Sequence, residues 1–178
     1  LSALRSFYRF ALSHHLTDKD PVHEIVGPKK LKPLPQFLKE SEMDRLLDPG
    51  MWDCSFESVR ARTIIITFYE TGIRLSELLG LDDPSVDFEN YQLKVTGKRN
   101  KQRIVPFGEE LEQTLRAYMS QRDEQPLKLD AALFLNDKGC RMTRSQVGQI
   151  VKTGLSRVTT MKKRSPHVLR HTFATVML

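Results

Sequence analysis

Cysteine is scarce: Cys54 and Cys140 are the only two in 178 residues, and they form neither a Cys-x-x-Cys pair nor a Cys/His cluster. That argues against a disulfide-stapled scaffold and against a zinc module. Together with the lack of a secretory leader pattern, it predicts two free thiols in a reducing cytoplasm. Long apolar runs are missing too. The longest compact one, Ile64-Ile65-Ile66, is bounded by threonines, far short of the ~20 residues that a membrane-spanning helix needs, so no membrane partner is expected. Glycine and proline stand at 9 each, too few for a collagen-like chain, and 39% hydrophobic residues exclude a disordered one. The length suffices for a substantial core without metal or disulfide staples. There are no internal repeats, no Gly-rich phosphate loop and no Ser-His-Asp order.

Acid is absent from one end of the sequence. All 22 acidic residues lie at or before Asp137, so residues 138–178 carry nine Lys/Arg and no carboxylate. The remainder has 28 − 9 = 19 cations against those 22 acids, a balance of −3. Inside it lies a second basic knot, Lys94, Lys98, Arg99, Lys101 and Arg103, five cations in ten residues. Segregated positive charge of this kind focuses field on a polyanion, and double-stranded DNA is the partner it predicts; a solvated basic face is the plainer alternative.

Helical spacing of Leu1, Leu4, Phe7, Tyr8 and Ala11 predicts a first helix. Residues 27–36 hold three prolines and three lysines and read as a linker, which divides the chain into 1–26, 27–36 and 37–178. Ser41 and Asp44 suit a helix start before Leu46-Leu47. Residues 58–71 predict a central helix, apolar on most sides, with Gly72 as its stop. A short helix over 75–81 precedes strands around Val86–Phe88, Tyr91–Thr96 and Gln102–Phe107, turning at Glu89-Asn90 and at Gly97–Lys101. Amphipathic helices follow over 109–122 and from a Thr143-x-x-Gln146 capping box, and a last helix starts at Ser165-Pro166. The pattern predicts a mainly α chain with a small antiparallel β-sheet. The chain starts in mid-pattern without Met and stops inside an apolar stripe, which predicts a piece of a longer protein.

Three places break local rules. Arg74 puts a cation at the positive end of the helix that follows Gly72-Ile73, a conflict that a bound anion would remove, with Glu77 close enough to hold the guanidinium. A weak surface ion pair is an equal reading of those two residues. Lys98 sits at the tip of a cationic hairpin able to reach into a groove, although lysines at hairpin ends also serve solubility. His167 and Arg170 share a face one turn into the last helix, and Leu169, Phe173, Val176 and Met177 form its expected buried stripe. An arginine at the edge of that stripe calls for an anion, and its fork matches a phosphate oxygen pair. Arg, Lys, His and Arg without clustered carboxylates suit phosphoryl transfer by charge stabilisation without a metal or other cofactor. Asp82, Asp83 and Asp87, the one possible acid set for a metal-dependent nuclease, read as turn formers.

Three stretches resemble the tyrosine site-specific recombinases of the phage integrase family, and in particular its Xer-like bacterial members. They are Thr71-Gly72-Ile73-Arg74-Leu75-Ser76-Glu77-Leu78, Val95 to Pro106 around Gly97-Lys98, and Ser165-Pro166-His167-Val168-Leu169-Arg170-His171-Thr172 onward. The resemblance implies that Arg74 and Arg170 bind the scissile phosphate, Lys98 protonates the leaving 5′ oxygen, His167 assists proton movement at the nucleophile and Glu77 orients the arginine and histidine rather than doing chemistry. Residues 1–26 would be the last part of an N-terminal core-binding domain and 37–178 a catalytic domain. Arg99, Lys101, Arg103, Arg141, Arg144, Lys162, Lys163 and Arg164 are the expected DNA-binding cations. Members form a 3′-phosphotyrosyl intermediate and act as homo- or heterotetramers on DNA. Tyr8, Tyr69, Tyr91 and Tyr118 match no nucleophile position, so the 178 residues alone are expected not to cleave. Arg99 departs from the glycine that many members carry in this turn. A non-catalytic, sequence-specific DNA-binding module is the alternative function.

Overall fold

The computed structural model describes residues 1–26 and 37–176, so the linker expected over 27–36 and the last two residues lie outside the described residues. The chain divides into two compact units, Leu1–Leu34 and Pro35–Leu178. No helix among the described residues is long and apolar enough to cross a membrane.

In the first unit, α1 (Ser2–Ser13) forms where the helical spacing placed it. Of its apolar residues only Ala11 is buried, and Leu4, Phe7 and Phe10 are exposed. Arg5 donates to the Ile25 carbonyl at 2.6 Å and ties the chain after the helix back to its first turn.

The second unit opens with α2 (Glu40–Leu47). Its start falls before the expected Ser41, because the Glu42 carboxylate accepts from the Lys39 N–H at 3.0 Å and makes Lys39 the cap. An acid three residues into a helix satisfies an orphan donor and competes well with a serine hydroxyl. Helix α3 (Phe56–Thr71) starts with the Ser55 hydroxyl accepting from the Ser58 N–H, and is buried on every side from Thr63 to Phe68. The Thr63 and Thr67 hydroxyls each donate to the carbonyl four residues back at 2.7 Å, so these two buried hydroxyls are satisfied within the helix. Gly72 ends it with φ 56°, the left-handed conformation that glycine adopts without steric cost.

Helix α4 (Leu75–Leu79) follows, and then an antiparallel sheet in the order β1 (Val86–Asp87), β2 (Gln92–Thr96), β3 (Gln102–Pro106). Val95 pairs with Arg103 and Leu93 with Val105. Leu93 and Val95 point into the core. Helices α5 (Glu109–Asp123), α6 (Arg144–Ser156) and α7 (Pro166–Val176) pack around α3. The Thr143-Gln146 capping box at the start of α6 forms as read.

Two arginines that the sequence did not single out pin the chain between α5 and α6. Arg122 is fully buried, with its guanidinium on Asp83 at 2.6 and 2.9 Å and on the Leu133 carbonyl at 2.9 Å. Arg60, also buried, reaches the Leu135 carbonyl at 2.9 Å and Asp137 at 2.8 Å. The expected stripe of α7 needs correction: its buried face is Pro166, Val168, Leu169 and Thr172, while Val176 is exposed and Met177 lies outside the described residues. Thr172 belongs to that face because its hydroxyl accepts from the Leu38 N–H at 3.0 Å and donates to the Val168 carbonyl at 2.9 Å.

Candidate functional site

The Gly72-Ile73 break leaves Arg74 as the cap residue of α4 and puts Glu77 at the third helical position. The Glu77 side chain is only 1% exposed, a costly place for a carboxylate unless its lone pairs are filled. They are filled by two arginines. Oε2 accepts from the Arg74 backbone N–H at 2.7 Å and from Arg103 Nη2 at 3.0 Å. Oε1 accepts from Arg74 Nη1 at 3.0 Å and from Arg103 Nη1 at 2.5 Å. Burial alone would raise the Glu77 pKa, but the Arg103 hydrogen bonds and the Arg74 N–H outweigh it and hold it down at about 2.

Arg103 stands on β3, just past the hairpin, and the root of that hairpin lies against the same carboxylate. A Cβ on Gly97 would come within 3.3 Å of Glu77 Oε1, which fits a glycine there. From this root Lys98, Arg99, Asn100 and Lys101 project, all exposed. Arg99 and Asn100 turn the chain with φ 61° and 58°. Asparagine tolerates that conformation and arginine does so at a cost.

Helix α7 meets the same segment from its other side. The Phe173 ring covers Gly72 so closely that a Cβ there would fall 2.4 Å from Cδ1. Arg170 Nη1 donates to the Gly72 carbonyl. Burial lowers the Arg170 pKa, as do the charges of Arg74 and Arg103, while Glu77 opposes them. A half-buried guanidinium disfavoured as a cation is one that a bound anion would stabilise. His167 stands exposed in the first turn of α7, on the Arg170 side of the helix.

The structure thus brings Arg74 and Arg103 onto one carboxylate, that of Glu77, and Arg170 onto the Gly72 carbonyl of the same segment. The Gly72–Glu77 segment is the piece that all of them share. Lys98 follows Gly97 in the hairpin and His167 stands one turn before Arg170 in α7, and neither side chain makes a hydrogen bond to a described residue. Sequence reasoning placed Arg103 among the DNA-facing cations, and the signal that it also partners Glu77 lay in strand register, visible only once Val95 and Arg103 are paired.

Among the other expected DNA-binding cations, Arg144, Lys162 and Lys163 are exposed, and Arg164 is half-buried just before α7. Arg141 is engaged internally, on Asp82 at 2.6 Å, Asp130 at 3.1 Å and the Leu79 carbonyl at 2.9 Å. The aspartates weighed as a metal set have structural partners. Asp83 holds Arg122 and Lys128, Asp82 holds Arg141, and Asp87 accepts from the Glu89 and Asn90 N–H groups in the turn after β1. Cys54 and Cys140 are free and exposed.

Comparison with known proteins gives a consistent answer. The sequence profile of the phage integrase family matches residues 36–178. The chain is 37% identical over 199 residues to the tyrosine recombinase XerC of Chlorobaculum tepidum, covering 100% of this chain and 59% of that protein. It is 35% identical over 181 residues to the tyrosine recombinase XerD of Oceanobacillus iheyensis, covering 100% of this chain and 60% of that protein. The crystal structure of XerA recombinase superposes with a TM-score of 0.71 at 27% identity, over 98% of this chain and 59% of that one. XerH recombinase bound to its difH substrate in a pre-cleavage complex superposes with a TM-score of 0.70 at 27% identity, over 81% of this chain and 43% of that one. The chain therefore spans about three-fifths of the length of the curated relatives it matches.

Proposed function

The chain belongs to the phage integrase family, and from that premise we propose that it serves site-specific DNA recombination, breaking and rejoining strands through a 3′-phosphotyrosyl intermediate. One observation carries the reading: the Gly72–Glu77 segment is gripped on one side by the root of the Lys98 hairpin and on the other by α7. Three motifs far apart in sequence thereby border one cationic patch.

Arg74 and Arg170 would take the non-bridging oxygens of the scissile phosphate, replacing the contacts that Glu77 and the Gly72 carbonyl now give them in part. Preset positive charge of this kind stabilises the pentacoordinate transition state as its charge develops. Lys98, exposed on a two-stranded arm, would give its proton to the leaving 5′ oxygen, and His167 would assist proton transfer at the attacking hydroxyl. Attack by a tyrosine keeps the bond energy in the phosphotyrosyl ester, so a second 5′ hydroxyl can reseal the strand without ATP. Burial sets two of the four tyrosines here against that role. Tyr118 is fully buried, its hydroxyl accepting from the Leu135 N–H at 3.0 Å and its pKa pushed up by burial to about 12. Tyr69 is likewise pushed up by burial. Double-stranded DNA is the proposed partner, bound by a homo- or heterotetramer in the cytoplasm. Residues 1–26 are proposed to belong to a core-binding domain and 37–178 to the catalytic domain.

The test uses the polypeptide expressed from its native reading frame and a nicked duplex that traps cleavage. A protein–DNA adduct that survives denaturant and is indifferent to chelator is expected, and Lys98→Ala is expected to lower its rate at least a hundredfold, within the usual span for a general acid. Undiminished adduct in Lys98→Ala would favour a binding module over the proposed chemistry, and loss of cleavage with chelator would favour a metal nuclease.

A further inference from the structure

Arg103 has the charge and the place of a DNA contact, on a basic hairpin with its side chain 41% exposed. Its geometry says otherwise. Both of its Nη atoms face the Glu77 carboxylate, at 2.5 and 3.0 Å, in the end-on fork that lysine cannot make. The same two oxygens hold Arg74 by its backbone and its side chain. A Cβ on Gly97 would crowd Oε1 at 3.3 Å, so the hairpin backbone lies close against the carboxylate. One carboxylate thus joins the α4 cap to the hairpin root, and Arg103 is the only hairpin side chain that reaches it among the described residues.

We propose that Arg103 is a positioning residue: through Glu77 it locks the Arg74 guanidinium and the base of the Lys98 hairpin into one frame, and it does not itself bind the phosphate. The role rests on the reading of Arg74 as a phosphate ligand. Without the Arg103 fork, Glu77 keeps only its Arg74 bonds in a buried site. The carboxylate then drifts toward its neutral form and releases both the guanidinium and the hairpin. Lysine at this position restores the charge but not the two-point grip, so the conservative replacement separates geometry from charge.

The experiment takes the 178-residue chain, its Arg103→Lys, Arg103→Gln and Glu77→Gln variants, and the Arg103→Gln/Glu77→Gln double variant. Affinity for a fluorescent duplex of arbitrary sequence is measured as a function of salt. The Glu77 carboxyl is titrated by carbon NMR in the DNA-free wild type and Arg103 variants. Arg103→Lys is expected to weaken binding about tenfold, the scale for losing a group that orients a ligand-binding residue, with the slope of log K against log salt unchanged. The double variant is expected to bind no worse than the weaker single one, because the two residues act as a unit. The Glu77 midpoint is expected to rise in both Arg103 variants. Wild-type affinity in Arg103→Lys, a slope reduced by about 0.9 in Arg103→Gln and an unmoved Glu77 midpoint would make Arg103 a phosphate contact and overturn the proposal. Should Arg103→Gln fail to fold, Arg103→Lys and the Glu77 titration still decide. Failure of the wild-type chain to bind the duplex would count against the DNA reading instead, and the Glu77 titration would judge Arg103 without it.

Discussion

At the scale of single residues, the site depends on two backbone positions with opposite histories. Gly72 is where only glycine fits: φ is 56° and the Phe173 ring occupies the place of a Cβ. Gly72→Ala is expected to destabilise the fold by about 2–4 kcal/mol, roughly 1 from the left-handed backbone and the rest from displacing the ring. Urea unfolding midpoints check it. Arg99 is the converse, a side chain in a conformation that favours glycine, with φ 61°. Arg99→Gly relieves a backbone cost of about 1 kcal/mol, less what the freer unfolded chain takes back, so a gain of at most about 1 kcal/mol is expected by the same assay. It also removes a cation from the hairpin tip, so affinity for duplex DNA is expected to fall while stability holds or rises. An unchanged affinity would mean that the tip does not meet the phosphates.

At the scale of elements, much of this fold is written in local pattern. The apolar run of α3, its Gly72 stop, the Thr143 cap of α6, the Ser165-Pro166 entry to α7 and the three strands all follow from periodicity and turn chemistry, which act over a few residues. Where the structure departs, a tertiary partner decides. Thr172 is buried because Leu38 supplies an N–H to it across 134 positions of sequence, and Arg122 is buried because Asp83 and the Leu133 carbonyl await it. The site divides in the same way. Arg74, Glu77, Lys98, His167 and Arg170 are legible as rule-breaking residues, whereas the Arg103–Glu77 fork that joins two elements depends on register. That fork makes a pH prediction. Glu77 titrates near 2 in the folded protein against an ordinary value of 4.5, so its stabilising contribution is fully present above about pH 4.5 and is lost as pH falls toward 2. The linkage is on the order of 3 kcal/mol. Asp53, Asp87 and Asp123 are shifted downward too, and the difference between wild type and Glu77→Gln isolates the Glu77 share. The gap between the two stability curves is expected to stay constant above about pH 4.5 and to shrink as pH falls toward 2; a gap that does not change with pH in that range would mean that the buried ion cluster is not formed in solution.

At the scale of the whole molecule, what matters is which cations are free to meet a polyanion, and sequence charge overstates the number. The stretch after Asp137 carries nine Lys/Arg and no acid, yet Arg141 is engaged by Asp82 and Asp130 from earlier in the chain. Lys162 and Lys163, in contrast, are exposed one short step before α7, where the helix then delivers His167 and Arg170. If that approach to α7 lies along a DNA backbone, each lysine displaces condensed counterions. Replacing both by alanine is then expected to lower the slope of log K against log salt by up to about 2, at little cost in stability. Arg141→Ala should do the reverse, leaving the slope as it was and lowering the unfolding midpoint, because Asp82 and Asp130 lose their shared partner. Both arms use the same chain, duplex and salt series, so a slope change in Arg141→Ala half as large as in the double lysine variant would mean that net charge alone governs binding. A slope that moves only with the lysines would place the duplex against the entrance to α7, on the path that leads to Arg170.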